Sequence, residues 1–192
     1  DIKQFNKSII NNKDYLDNKN IFIFGIKPKV PSTEYGYFLS KKKSKKISKV
    51  IKFIEKPNIN KAKLIIKKNG YMNSGIFFAR KDSLIFNFKK YQNDIFNKCV
   101  KSIEKSKVIN NVCYLNKKYF RKIKEISFDY AILENNKFIN AIKLNLTLTD
   151  LGNWKEVWKF FKKYNSRSKI NKNTFFRPWG KYINLFKGKN FL

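Results

Sequence analysis

Residues 21–26, Ile-Phe-Ile-Phe-Gly-Ile, form a near-continuous apolar run without the alternation of a half-solvated strand. A strand of this composition has to be covered on both faces, and such strands belong to α/β sheets flanked by helices.

The surrounding sequence alternates helical and extended patterns. Phe5, Ile9, Ile10 and Tyr15 recur at helical spacing and predict a helix over 3–18 ahead of the strand. Pro28 and Pro31 then break the chain, and 35–39 reads as a second strand. The lysine- and serine-rich stretch 40–48 reads as a solvated loop, followed by a strand over 50–54 that stops at Glu55-Lys56-Pro57. A helix is predicted over 60–68 with Gly70 as its C-terminal cap, then a strand over 72–79. Residues 82–107 carry helical spacing with a break near Gln92, and 128–134 reads as a short helix. A strand over 138–146 and a helix over 153–161 complete an α/β domain with a mixed sheet.

The chain carries 44 Lys or Arg against 13 Asp or Glu, a formal net charge of +31. Such a charge is the footprint of a protein that meets phosphate polymers or anionic surfaces. Only Arg80, Arg121, Arg167 and Arg177 are arginine, although arginine is the side chain that forks onto phosphate and reads guanine edges. The excess is lysine, enriched together with asparagine and isoleucine as biased codon usage would produce, so no specific nucleic-acid partner is expected. At 42% hydrophobic and 17% aromatic, the composition is that of a folded core with its charge at the surface. Cys99 and Cys113 are not in CxxC spacing and histidine is absent, which excludes zinc sites and histidine-based triads. No apolar run approaches the roughly 18 residues of a membrane span, and Asp1-Ile2-Lys3-Gln4 is not a signal peptide. A cytoplasmic protein without a membrane partner is the expectation.

Five of the seven glycines sit in short clusters with aromatic or polar neighbours, where backbone must approach a ligand or another strand closely. The clusters are Phe24-Gly25-Ile26, Tyr35-Gly36-Tyr37, Asn73-Ser74-Gly75, Thr149-Asp150-Leu151-Gly152-Asn153-Trp154 and Arg177-Pro178-Trp179-Gly180-Lys181-Tyr182, joined by Phe53-Ile54-Glu55-Lys56-Pro57 and Ser127-Phe128-Asp129-Tyr130-Ala131. Each alone has a plain structural explanation. Glu55-Lys56-Pro57 reads as a solvated pair before a proline, Asp150 as an Asx turn, and Trp154 with Trp158 as a core-facing stripe at i, i+4.

In this order and spacing the clusters resemble the sugar nucleotidyltransferases, and among them the mannose-1-phosphate guanylyltransferases, including forms fused to a phosphomannose isomerase domain. The resemblance runs from about Phe5 to Tyr182 and implies the sugar-binding, C-terminal half of a Rossmann-like nucleotidyltransferase domain over 1–165. Residues 166–192 would be a shortened linker and the start of a mannose-6-phosphate isomerase-like domain. The implied reaction joins mannose 1-phosphate and GTP into GDP-mannose and pyrophosphate, with magnesium as cofactor. Matched residue by residue, Glu55 and Asn73 would bond sugar hydroxyls, Lys56 would pair with the sugar phosphate and take part in catalysis, and Gly36 would let backbone lie against the sugar. Asp129 would contact substrate or support those that do, and Asp150 would be a catalytic magnesium ligand. Alternatives are a nucleotidyltransferase acting on glucose 1-phosphate and a degenerate basic protein that binds nucleic acid without specificity.

Two parts of the family pattern have no match: the glycine-rich loop that cradles the triphosphate and the aspartate–histidine pair that supplies the other metal ligand. The isolated chain is therefore expected to be incomplete and inactive, and half a parallel sheet would leave an apolar edge uncovered. Glu34 stands where the family has a glycine, and only residues 162–176 separate the predicted 153–161 helix from Arg177.

Overall fold

The computed structural model describes residues 2–42, 47–146, 152, 157, 160, 174–176 and 182–184. It divides into two units, Asp1–Leu146 and Thr147–Leu192. In the first unit the apolar run is strand β1 (Ile21–Ile26), with all six residues buried. Successive side chains enter different cores, as the two-residue period of a strand requires. Ile21 and Ile23 pack with Phe38, Phe53, Ile132 and Ile139. Phe22 and Phe24 pack with Ile142 and Leu144 and against Phe5 and Ile9 of helix α1 (Ile2–Ile10). Each such buried side chain contributes about 1.5–3 kcal/mol.

The other strands of this unit are β2 (Tyr37–Lys42), β3 (Ser48–Ile54), β4 (Tyr71–Phe78), β5 (Lys107–Ile109), β6 (Val112–Tyr114) and β7 (Ile139–Leu144). The helices are α2 (Ile59–Lys67), α3 (Lys81–Tyr91), α4 (Asn93–Glu104) and α5 (Lys117–Phe120). β1 lies between β4, antiparallel to it, and β7, parallel to it. β4 pairs next with β2, and β2 with β3. The first residues of β3 reach β7, pairing Ser48 with Ala141 and Lys49 with Asn140, so the mixed sheet closes into a five-stranded ring. Every strand of the ring has two neighbours, and the apolar edge expected of a half sheet is covered. β5 and β6 form a separate hairpin. In the second unit β8 (Thr174–Phe176) pairs antiparallel with β9 (Tyr182–Asn184). Among the described residues no helix is long and apolar enough to cross a membrane.

Several predicted boundaries move. The helix expected over 3–18 stops at Ile10, because Asn12 turns its side-chain amide onto the Ser8 carbonyl at 2.7 Å and a 3-10 turn, Lys13–Tyr15, follows. Ser40 to Lys42 continue β2 instead of looping, since their backbone pairs with β3 while the lysines face solvent. The helical stretch over 82–107 breaks at Gln92 as read but ends at Glu104, and Lys107 opens a strand. The short helix expected over 128–134 is a π-helical turn, Asp129–Leu133, in which Glu134 N donates to Asp129 O at 2.9 Å. The left-handed cap of α2 is Asn69 (φ 57), not Gly70; Gly70 N donates to Ile65 O at 2.9 Å and Asn69 N to Ile66 O, the two bonds of a Schellman closure. Gly70 has its own requirement, since a Cβ there would lie 2.8 Å from Ile65 O. The helix expected over 153–161 lies outside the described residues, apart from the helical positions Val157 and Phe160.

A buried polar clasp fixes where β1 and β7 begin. Asn87 of α3 donates to Lys19 O and to Ser83 O, each at 2.7 Å, and accepts from Asn136 Nδ2 at 2.7 Å. Asn136 Oδ1 in turn accepts from Phe138 N at 2.6 Å, and Ser83 Oγ donates to Asn20 O at 2.8 Å. Ser83 and Asn87 have no exposed surface, so every bond lost here strands a group away from water. Asn87→Asp keeps the shape but turns a carboxylate oxygen toward the Lys19 and Ser83 carbonyls. We expect a loss of about 1–3 kcal/mol for each stranded group, measured as a lower urea midpoint. An unchanged midpoint would show that the clasp does not hold the sheet.

Candidate functional site

The ring brings four separate stretches of chain to one place. Tyr37 pairs with Ile54 across β2 and β3, which sets Gly36 beside Glu55. Asn73 N donates to Gly36 O at 2.8 Å, and Asn73 is also the β4 partner of Gly25 in β1. Asn73 Nδ2 reaches out of the sheet to Asp129 Oδ1 at 3.0 Å, at the first residue of the π-helical turn. That turn is pinned from behind by Gln92, whose Nε2 donates to Ala131 O at 3.0 Å.

Gly36 is the floor of the site. A Cβ there would lie 2.5 Å from Glu55 Oε2 and 2.9 Å from Phe53 Cζ, so the Glu55 carboxylate rests on bare backbone. Lys56 follows in the left-handed region at φ 42, a conformation that costs a non-glycine residue of the order of 1 kcal/mol. Its side chain is exposed while Pro57 behind it is buried.

Glu55 lies among three other charged groups, Asp129, Lys56 and Glu134. Burial, reinforced by the charge of Asp129, pushes the Glu55 carboxyl above the usual glutamate range; Lys56 opposes this and Glu134 adds to it. Burial likewise raises Asp129, against its backbone hydrogen bond, Lys56 and the Asn73 amide. Glu134 Oε1 accepts from Glu55 N at 3.4 Å. Among the described residues four buried side-chain oxygens lack a hydrogen-bond partner, and two of them, Glu55 Oε2 and Asn73 Oδ1, belong to this cluster. Both are acceptors, and buried acceptors are almost always paired in proteins. The arrangement therefore suits a ligand that brings donors, with an anionic group at the Lys56 rim.

Of the residues read from the sequence, Gly36, Glu55, Lys56, Asn73 and Asp129 lie together. Asp150 is outside the described residues. Among those residues no group of three His, Cys, Asp or Glu side chains offers a cation site, so the magnesium expectation rests on Asp150. Glu134 and Gln92 received no role from the sequence. Glu134 closes the run Ile126-Ser127-Phe128-Asp129-Tyr130-Ala131, and only the five-residue spacing from Asp129, one π-helical turn, signals that it returns to the same site.

A raised carboxyl pKa makes the folded chain hold its proton more tightly than the unfolded chain. The stability it contributes is present below the ordinary aspartate value of 3.8 and is lost as pH rises through the folded value. Asp129→Asn, which still accepts from Asn73, removes that loss. The melting temperature of the variant should rise relative to the unsubstituted chain across this window and level off above it. A difference that stays flat with pH would mean Asp129 titrates normally.

The family described as Nucleotidyl transferase matches residues 2–167. The chain is 30% identical over 175 residues to a mannose-1-phosphate guanylyltransferase of Escherichia coli, covering 88% of this chain and 38% of that protein. It is 31% identical over 140 residues to the alginate biosynthesis protein AlgA of Pseudomonas fluorescens, covering 71% of this chain and 29% of that one. The chain thus spans well under half the length of these relatives. Its fold matches a Helicobacter pylori structure described as mannose-6-phosphate isomerase, with a TM-score of 0.69 and 25% identity over 78% of this chain and 60% of the other. A Thermus thermophilus structure described as mannose-1-phosphate geranyltransferase shares the fold with a TM-score of 0.70 at 18% identity, over 85% of this chain and 46% of the other.

Proposed function

This chain belongs to the nucleotidyl transferase family, and we propose that its Gly36, Glu55, Lys56, Asn73 and Asp129 cluster is the sugar 1-phosphate subsite of a mannose-1-phosphate guanylyltransferase. The observation that carries this reading is the pair of buried, unpartnered acceptors, Glu55 Oε2 and Asn73 Oδ1, beside a glycine against whose bare backbone the Glu55 carboxylate rests. Sugar hydroxyls are the donors that would satisfy them, with charge-assisted bonds to Glu55 the stronger. Asp129 holds the Asn73 amide so that its oxygen faces the ligand, and Glu134 anchors the Glu55 backbone. Lys56 meets the phosphate as a mobile point charge at the rim. The activity for which the E. coli relative is named supplies the choice of mannose and guanine.

In the reaction a phosphate oxygen of mannose 1-phosphate forms a bond to the α-phosphorus of GTP while the bond to the leaving pyrophosphate breaks. Such transfer is governed by positioning and charge neutralisation, so a chain without histidine is no obstacle. The residues described here hold the nucleophile: they fix the sugar by its hydroxyls and keep its phosphate beside Lys56. Magnesium on Asp150 belongs to the reading through family resemblance, and no step here runs through it.

Isothermal titration of residues 1–192 with mannose 1-phosphate, glucose 1-phosphate and mannose tests the assignment. Mannose 1-phosphate should bind more tightly than either of the others. Lys56→Ala should erase the advantage over mannose, and Glu55→Gln should weaken both mannose ligands by about ten- to a hundredfold, the worth of one charged hydrogen bond. Gly36→Ala should abolish sugar binding by displacing the Glu55 carboxylate. Equal affinity for the two sugar phosphates would favour the glucose 1-phosphate reading, and mannose 1-phosphate affinity unchanged by Lys56→Ala would sink the phosphate role.

A further inference from the structure

The β5–β6 hairpin presents apolar side chains to water from a strongly basic surround. All six of its strand residues are exposed. Val108 is 71% exposed, Ile109 53%, Val112 51% and Tyr114 56%. Val108 pairs with Cys113 and Ile109 with Val112, so apolar groups occupy both faces of the ribbon. Phe120 of α5 and Ile103 of α4 are also exposed, at 54% and 59%.

The hairpin is nonetheless well rooted. Asn116 N donates to Ser102 O at 3.1 Å, Ser102 Oγ to Asn116 O at 3.2 Å, and Asn116 Nδ2 to Lys105 O at 3.3 Å. Ser102 is buried. The turn itself uses Asn110 and Asn111, both left-handed at φ 49 and 61, the geometry of a tight two-residue hairpin. A two-stranded ribbon with no covered face is marginal in water, and this one is held out from the body by its root instead of folding back onto it.

Charge selects what meets it. Residues 101–124 contain eight Lys or Arg against Glu104 alone, a net +7 in 24 residues, where the whole chain carries +31 in 192. The local density is nearly double the chain average. A second copy of the same surface would bring these like charges together. An anionic surface with an apolar interior matches both features at once.

We propose that the β5–β6 hairpin, with its α4 and α5 flanks, is a peripheral docking surface for an anionic phospholipid bilayer. The apolar hairpin residues enter the boundary between headgroups and acyl chains, and the surrounding lysines and Arg121 meet the lipid phosphates. Surface contact of this kind needs no spanning helix, so it revises the expectation of no membrane partner, which was drawn from the lack of a span. Burial of apolar side chains and attraction to anionic lipid add in such binding.

Co-sedimentation of residues 1–192 with phosphatidylglycerol-containing vesicles tests this, with pure phosphatidylcholine vesicles as the control. The chain should pellet with the anionic vesicles, and added salt should weaken the binding. Replacing Lys107, Lys117 and Lys118 with glutamine should cost about fivefold per residue. Val108→Asp with Ile109→Asp should weaken binding at least as much without lowering the melting temperature, because both side chains are exposed. Tyr114→Trp gives an independent readout, a blue-shifted emission on vesicles as the indole leaves water. Equal binding to both vesicle types, or no emission shift, overturns the proposal. Salt-sensitive binding to DNA as tight as to vesicles, untouched by the aspartate substitutions, would make the surface a nonspecific nucleic-acid site. A dimer in sedimentation equilibrium that Ile109→Asp dissociates would make it an interface between copies, and either result also overturns it.

Discussion

Strand β1 has no solvent face, and a strand without one needs covering layers on both sides together with neighbours at both edges. The first unit is organised around that demand. α1 covers the Phe22 and Phe24 face, while the π-helical turn and α3 cover the Ile21 and Ile23 face. β4 and β7 take the two edges. Because β1 and β7 run parallel, they start at the same end of the sheet, and the Asn87 and Asn136 clasp closes that end with satisfied polar groups. Ligands of α/β sheets bind at the opposite, carboxyl end of the strands, and Gly25, the partner of Asn73, is the last residue but one of β1.

The site is a consequence of how the ring closes. Gly36, Glu55, Asn73 and Asp129 are far apart in sequence, and pairings of β2 with β3 and β4 bring the first three together. Asp129 arrives separately, on a turn positioned by Gln92. The helix break at Gln92 therefore does more than separate α3 from α4: it frees a side-chain amide to hold the backbone carrying an acidic group. Burial keeps the proton on Glu55 and Asp129 to higher pH than in water. A ligand that donates hydrogen bonds to the ionised forms would offset that burial.

Much of this was legible in the sequence where one signal dominated. The unbroken apolar run gave β1 its boundaries, whereas the helix read over 60–68 starts at Ile59 behind an unread cap, Asn58, whose side chain accepts from Lys61 N at 2.9 Å. Gly36, Glu55, Lys56, Asn73 and Asp129 were named through the family resemblance of the clusters, two of which hold no glycine. Other features were hidden for physical reasons. Ser40 to Lys42 pair by backbone alone, so their composition reads as loop. Asn69 and Gly70 each carry part of the α2 closure, and sequence convention assigns the whole of it to the glycine. The π-helical turn differs from an α-helical one by a single residue of spacing, which no local propensity records. The β5–β6 hairpin buries nothing, so no hydrophobic period marks it, although Asn110-Asn111 between β-branched residues was a usable turn signal.

The charge of the chain acts on two length scales, and they serve different ends. A net +31 raises the concentration of any anion near the surface, but beyond the roughly 10 Å of salt screening it cannot tell one anion from another. Discrimination has to come from short-range geometry. At the candidate site Glu55 feels the charges of Asp129, Lys56 and Glu134, and Asp129 that of Lys56. An inorganic anion gains little there, since the carboxylates repel it and it brings no donors. On the function proposed above, a phosphate carried by a polyol would gain twice, its hydroxyls satisfying the buried acceptors Glu55 Oε2 and Asn73 Oδ1 while its charge stays at the lysine rim. On that same function, acids placed inside a basic protein would turn nonspecific attraction for anions into selection for a sugar phosphate.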